Sequence, residues 1–421
     1  MLRKSIFTPS LALVVSALAL AGCSNNPSAD GEQTLTMFAA SDFKASTDTL
    51  IADFEAANPG VKIQVTYASG NDFETTEGTA ISSGNPPDII DALAGITGPI
   101  ATQQLITDGV VLDLSNESWA KDVPESINSE NQPDLDDKGV YFYPVLVQPM
   151  GAFYNEGTLQ EAGLEVPSTW SEVLQFCEEA QKAGKIPYSL GLSDQWVGQL
   201  VPYSLADTLL YGDDPSWGKE FALSEGRVSY TDSPWVEVFE KYKEMGDAGC
   251  FTENPNAVAL DATLGPVANG DAVGIVQVGG LFENLSSLNP DATYVLDALP
   301  ATDNPEETYM PASPSHQFAV SAESPRKDLA LKFLDFLAQP ENINKFVITA
   351  GGAVPAIPND TFEAPKLLEN FNEYVTEGKT RAFPFSPNVE VQNELMVGTQ
   401  NMFLGEMTPV EVVEGMQAAI R

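Results

Sequence analysis

The 421-residue chain carries 60 acidic against 20 basic side chains and a single histidine, a formal charge of −40. Such a surface disfavours nucleic acid, anionic lipid and, with no basic cluster in the sequence, an anionic ligand. One histidine leaves no HExxH pair and no histidine-rich metal site, a Ser-His-Asp triad would have to be built on His316, and no GxSxG elbow occurs.

At the start, Arg3 and Lys4 precede a mostly apolar run from Ile6 to Ala21. A bilayer-spanning helix needs about 20 apolar residues, so this shorter run reads as a secretion signal over residues 1–22. Leu20-Ala21-Gly22-Cys23 resembles the lipobox of bacterial lipoproteins, in which the cysteine thiol is acylated and the chain is cut ahead of it. Two acyl chains at Cys23 would anchor stably at about 0.8 kcal/mol per buried CH₂. The mature chain would then carry 18 basic and 60 acidic side chains, a charge of −42. Residues 23–32 read as a flexible tether. The expected location is the outer face of the cytoplasmic membrane, touched only through the lipid.

Thr34 to Phe38 alternates as a strand, and Asp48 to Ala57 places Leu50, Ile51, Phe54 and Ala57 on one helical face. Asn58-Pro59-Gly60 stops that helix, and Val61, Ile63, Val65 and Tyr67 alternate in a second strand. This is a strand-helix-strand unit of a parallel sheet. A helix near Phe73 to Ser83 and a short strand from Asp88 to Asp91 follow. The run GVYFYPVLVQPMGAFYN from Gly139 is extended, and Pro144 and Pro149 argue against a central ladder, so it reads as a passage from one sheet to another. Thr169 and Glu172 form a capping box for a helix from Trp170 to Ala183. GDAVGIVQVGGLFENL reads as a buried strand, a diglycine turn and a helix start. Ser324-Pro325 opens a helix through Leu337, and Thr408-Pro409 opens the last, with Val410, Val413 and Met416 toward the core.

A mature length of 399 residues exceeds what one core supports, so two lobes are the default. Cys177 and Cys250 are an even pair in an oxidising compartment. A bridge between them is one reading; a buried free thiol at helical spacing from Val173 and Leu174 is the other. Neither cysteine reads as catalytic.

The ordered set of lipobox, ADFEAANPGVKIQV, SGNPPDII, YPVLVQPMGAFYNEGTLQEAGLEVPSTWSEV, ANGDAVGIVQVGG, SPRKDLALKFLDFLAQPENINKF and GGAVPAI resembles the extracellular solute-binding proteins of ABC importers. The resemblance is to their carbohydrate-binding branch, which includes the maltodextrin-binding proteins. It implies an α/β fold of two lobes with ligand in the cleft between them and several crossover segments. Carried onto this chain, lobe 1 would comprise 33–146 plus 298–338 and lobe 2 would comprise 147–297 plus 339–421. The implied function is capture of a neutral sugar or oligosaccharide by a monomer that closes on it and delivers it to membrane permease subunits, without catalysis, metal or cofactor. A peptide or other polar solute, or a surface-tethered glycoside hydrolase, is the alternative.

The carboxyl ends of the strands select the ligand-facing loops. After the first strand, Asp42 would accept from sugar hydroxyls, or cap the next helix, and Phe43 would stack on a pyranose face. Gln148 falls where the relatives place a sugar-bonding carboxylate. Asp194 and Trp196 align with an acid and an aromatic that reach ligand in the relatives; Phe282 stands beside Leu281, which replaces a family tryptophan; His316 lies near a third loop, although a lone histidine is more often structural or exposed than a ligand contact.

Overall fold

Alternating apolar residues set the first strand pair. In the computed structural model, which describes residues 33–68, 70–94, 98–131, 139–218, 226, 229–386 and 388–420, β1 (Gln33–Ala40) and β2 (Val61–Ala68) pair in parallel throughout. The signal segment, Cys23 and the tether lie outside the described residues. The intervening helix Lys44–Ala57 buries Leu50, Ile51 and Phe54, while Ala57 is exposed. The helix ends there because the Asn58 side chain donates to the Phe54 carbonyl at 2.8 Å and Gly60 adopts φ +88°, a left-handed turn that glycine enters without steric cost.

The remaining strands, in chain order, are β3 (Ile89–Ala92), β4 (Tyr143–Asn155), β5 (Ile186–Tyr188), β6 (Ala272–Val278), β7 (Tyr294–Asp297), β8 (Met310–Val320), β9 (Val354–Pro355) and β10 (Thr380–Arg381). The main path runs β2-β1-β3-β8-β4-β6-β5. Strand β4 pairs with β8 from Tyr143–Phe318 to Pro149–Ala312, then turns to β6 and β7 from Met150 onward. Proline is therefore present in a central ladder after all. Pro149 stands where β4 changes partners and Pro144 is its second residue, so neither missing N–H interrupts a long run of bonds.

Two hydrophobic cores lie at the two ends of this crossing. Leu35, Met37, Phe54, Val145, Phe318 and Phe333 belong to the first. Phe153, Tyr188, Trp235, Phe239, Leu296 and Val413 belong to the second. In the first, Phe54 is fully buried and meets Phe333 edge-on at 5.2 Å, an aromatic pair worth about 0.5–1.5 kcal/mol beyond its area.

The expected boundaries differ from this division in two places. Ile343, Phe346, Val347 and Ala350 of the helix Pro340–Ala350 sit in the first core, not the second. Ala298, Leu299, Ala301 and Met310 sit in the second, not the first. An apolar stripe on a helix says that it is buried, not against which sheet, and β8 is one unbroken strand serving both cores. The chain returns to the second core between Phe362 and Leu367.

Two helix ends also depart from expectation. Glu172 accepts from the N–H and hydroxyl of Ser168, one residue before the Thr169 cap. Val410 is 44% exposed, and Val412 takes its place inside with Val413 and Met416, although the Thr408–Glu411 capping box forms.

Cys177 and Cys250 are joined in a disulfide, Cα atoms 4.9 Å apart and 73 residues apart in sequence, both fully buried within the second core. Closing so long a loop restricts the unfolded chain by about 4 kcal/mol in the entropy description. A Cys177→Ala/Cys250→Ala variant is expected to lose stability on that scale in denaturant titration. An unchanged midpoint would mean that the bridge contributes nothing.

Candidate functional site

The turns following β1 and β6, and β3 itself, meet the crossing strands β4 and β8 through Phe43, Gly280 and Asp91. In the β4–β8 ladder, Pro144 pairs with Gln317 and Leu146 with Ser315, but no pair forms between Val145 and His316. His316 has φ +55°, a left-handed conformation uncommon outside glycine. Such a backbone costs about 1–3 kcal/mol and persists where surrounding contacts impose it.

Those contacts come from the first lobe. His316 Nδ1 lies 2.9 Å from both carboxylate oxygens of Asp91, at the end of β3, and its ring meets Phe43 edge-on at 4.8 Å. Asp91 also accepts from the Ala40 N–H at 3.4 Å, and its own N–H donates to Glu77 at 3.1 Å. Glu77 is fully buried, and its second carboxyl oxygen has no hydrogen-bond partner among the described residues. Burial, reinforced by the charge of Asp91, pushes the Glu77 pKa well up. Burial works to lower the His316 pKa, but the charge and hydrogen bond of Asp91, and the charge of Asp42, outweigh it and raise the net value.

Asp42 is half-buried on the turn Ser41–Phe43. Burial raises its pKa; His316 opposes this, while Asp261 and Glu283 of the second lobe add to the rise. Asp42 does not cap the following helix, whose N-cap position is Phe43 with no side-chain cap of its own. Phe43 is only 3% exposed, between His316 and Phe346, so its ring forms wall rather than open stacking surface.

Across the cleft, the diglycine after β6 packs closely against the first lobe. A Cβ on Gly279 would stand 1.8 Å from the Gly352 carbonyl oxygen, and one on Gly280 would stand 2.3 Å from the Phe43 ring. No larger residue fits either place without displacing backbone or ring. The Gly280 N–H donates to Gln148 Oε1 at 2.8 Å, which commits one of the two polar ends of the buried Gln148 amide. Glu283, in the first turn of the helix Phe282–Leu288, accepts from the Ala45 N–H at 2.7 Å, the Ser46 N–H at 3.3 Å and the Ser46 hydroxyl at 2.6 Å in the opposite lobe.

The other sequence candidates lie in the second lobe. Asp194 accepts from the Leu260 N–H at 2.8 Å and so positions the helix Leu260–Asn269, which carries Asp261. Trp196 is half-buried on the turn Gln195–Gln199, partly packed on the second core. Phe282 stacks with Phe153 at 6.0 Å and meets Tyr294 at 5.5 Å. The structure thus brings Asp42, Phe43, Gln148 and His316 together and links Asp194 to them through Leu260 and Asp261. It places Phe282 among second-core aromatics. Asp91, Glu77, Asp261 and Glu283 are additions; the one sequence signal for Asp91 is an acid ending the otherwise apolar β3.

Residues 49–366 match the family model described as bacterial extracellular solute-binding protein. The chain belongs to this family. Among its relatives, this solute-binding protein is 25% identical over 345 residues to the multiple sugar-binding protein of Streptococcus mutans, covering 80% of this chain and 76% of that one. It is 24% identical over 352 residues to an uncharacterized lipoprotein of Streptomyces antibioticus, covering 80% and 74%. Its fold is that of the solute-binding protein RafE in complex with raffinose, at a TM-score of 0.75 and 18% identity over 92% of this chain and 98% of that one. The two-lobed expectation therefore holds.

The raised His316 value fixes the sign of one pH effect. Its stabilisation is complete below the unfolded histidine value of about 6.5 and is lost as pH rises through the higher folded value. Asp42 and Glu77, also raised, act in the same direction from lower pH. The melting temperature of the unliganded solute-binding protein should fall as pH rises above about 6.5, and His316→Gln should remove that part of the fall. Parallel curves for the two proteins would show that His316 does not titrate with folding.

Proposed function

We propose that this protein is the substrate-binding component of an ABC importer, tethered by acylated Cys23 to the outer face of the cytoplasmic membrane, capturing a neutral sugar or oligosaccharide and passing it to a membrane permease. The observation that supports it most is the meeting of Asp42 and His316 with the charges of Asp261 and Glu283 of the second lobe, where Asp194 holds the helix that carries Asp261; Gln148 and Trp196 are taken to complete the site. Carboxylates and an amide accept from or donate to hydroxyls, and a flat aromatic covers the C–H face of a sugar ring. Carboxylates also surround Asp42, which disfavours an anion. The similarity to sugar-binding proteins and the raffinose-bound neighbour support the same class of ligand.

In this reading, closure does the work. A sugar bridging both lobes binds the closed arrangement more tightly and shifts the population toward it. The sugar leaves chemically unchanged.

A thermal-shift screen over mono- and oligosaccharides, raffinose and stachyose included, should find a sugar that stabilises the protein, by about 2.7 kcal/mol at one hundred times its Kd. For that sugar, Trp196→Ala should weaken binding by about 2 kcal/mol, or about thirtyfold in Kd, with little change in the unliganded melting temperature. Unchanged affinity in a destabilised variant would assign Trp196 to the core instead. A cleaved sugar after long incubation would favour a hydrolase, and stabilisation by peptides alone would move the ligand class.

Anchoring has its own test. Cys23→Ala should yield released protein or an unprocessed precursor in a membrane fractionation. A variant retained on the membrane at the processed mass would rule out acylation at Cys23.

A further inference from the structure

The helix Lys44–Ala57 begins without a side-chain cap from its own lobe. The first N–H groups of any helix have no intrahelical partner and carry the positive end of its dipole. Here they are met from elsewhere: Glu283, at the start of the helix Phe282–Leu288 in the second lobe, takes the Ala45 and Ser46 N–H groups and the Ser46 hydroxyl within 3.3 Å. Glu283 is 8% exposed, so the contact is shielded from competing water. The geometry points to Glu283 as a positioning residue that caps a helix of one lobe from the other and thereby sets how the lobes meet.

The contact adjoins two close approaches between the lobes, Gly279 against Gly352 and Gly280 against Phe43. Through Lys44 it fixes the turn that carries Asp42 and Phe43. A cap that forms only when the lobes are together stabilises their contact and leaves either lobe able to fold without it. Its loss exposes two amides and a hydroxyl that water can satisfy, so the lobes separate more often while both cores stay intact.

This role rests on the two lobes moving relative to one another, as the proposed function requires, and its test needs no sugar. Hydrogen exchange is followed by mass spectrometry on the unliganded full chain, for wild type, the isosteric Glu283→Gln, and Ser46→Ala, which removes one donor from the opposite lobe. In Glu283→Gln, exchange should rise about five- to thirtyfold at Ala45 and Ser46, the range a lost helix cap gives. It should also rise in the facing loops Gly279–Leu281 and Gly351–Ala353, which make no bond to Glu283, and Ser46→Ala should reproduce the pattern in smaller measure. A rise confined to the first turn of the helix Lys44–Ala57, or no rise at all, overturns the proposal, since a local cap moves nothing else. Raffinose is then added separately. Absence of extra protection with every sugar counts against the sugar-binding reading and leaves the exchange result without sugar as it stands.

Discussion

The two cores communicate through the antiparallel ladder of β4 and β8, which runs between them and to which every loop of the site is referred. A ladder resists stretching and register slip but yields to twisting, because each step is held by hydrogen bonds that tolerate small rotations. The ladder is interrupted opposite Val145, where His316 takes a left-handed backbone. The same residue carries the side chain that Asp91 and Asp42 attract. The irregular backbone and the chemistry of the site therefore share a position.

Around this step the site is poor in positive charge and rich in carboxyl groups. Burial pushes the Glu77 pKa well up, Asp91 is paired with His316, and Glu283 accepts from helix amides. Asp42 lies near His316 and near Asp261 and Glu283 of the second lobe. That ordering explains how so acidic a chain assembles carboxyl groups at close quarters. Glu77, Asp91 and Glu283 are met by burial, an imidazole and a helix end in turn.

Much of the fold was legible in the sequence because its signals are local. The parallel strand pair, the helix ended at Gly60 and the last helix opened by Thr408 all follow from alternation, spacing and capping within a dozen residues. What was not legible is pairing at a distance. The apolar stripe of Pro340–Ala350 could cover either sheet, and the disulfide depended on a Cα separation that spacing does not encode. In the site, Asp42 was marked by its place after the first strand, Gln148 by the resemblance at the crossover and His316 by its closeness to a third loop, although the last two lie within β4 and β8. Phe43 was misjudged because its exposure is set by Phe346 and Gly280, far along the chain. Glu283 gave no signal, since a surface acid at a helix start is ordinary until its partner on another lobe is known.

The three crossings also order the events of folding. The first core needs strand β1 near one end of the chain and Phe346 and Val347 more than three hundred residues later; the second needs Phe153 and also Val413 and Met416 from the final helix. Neither core can close on a chain still emerging from its amino terminus. Such distant contacts slow assembly relative to a fold built from local ones. The topology thus leaves both cores incomplete until most of the polypeptide is available, an order of events compatible with membership of an extracellular family.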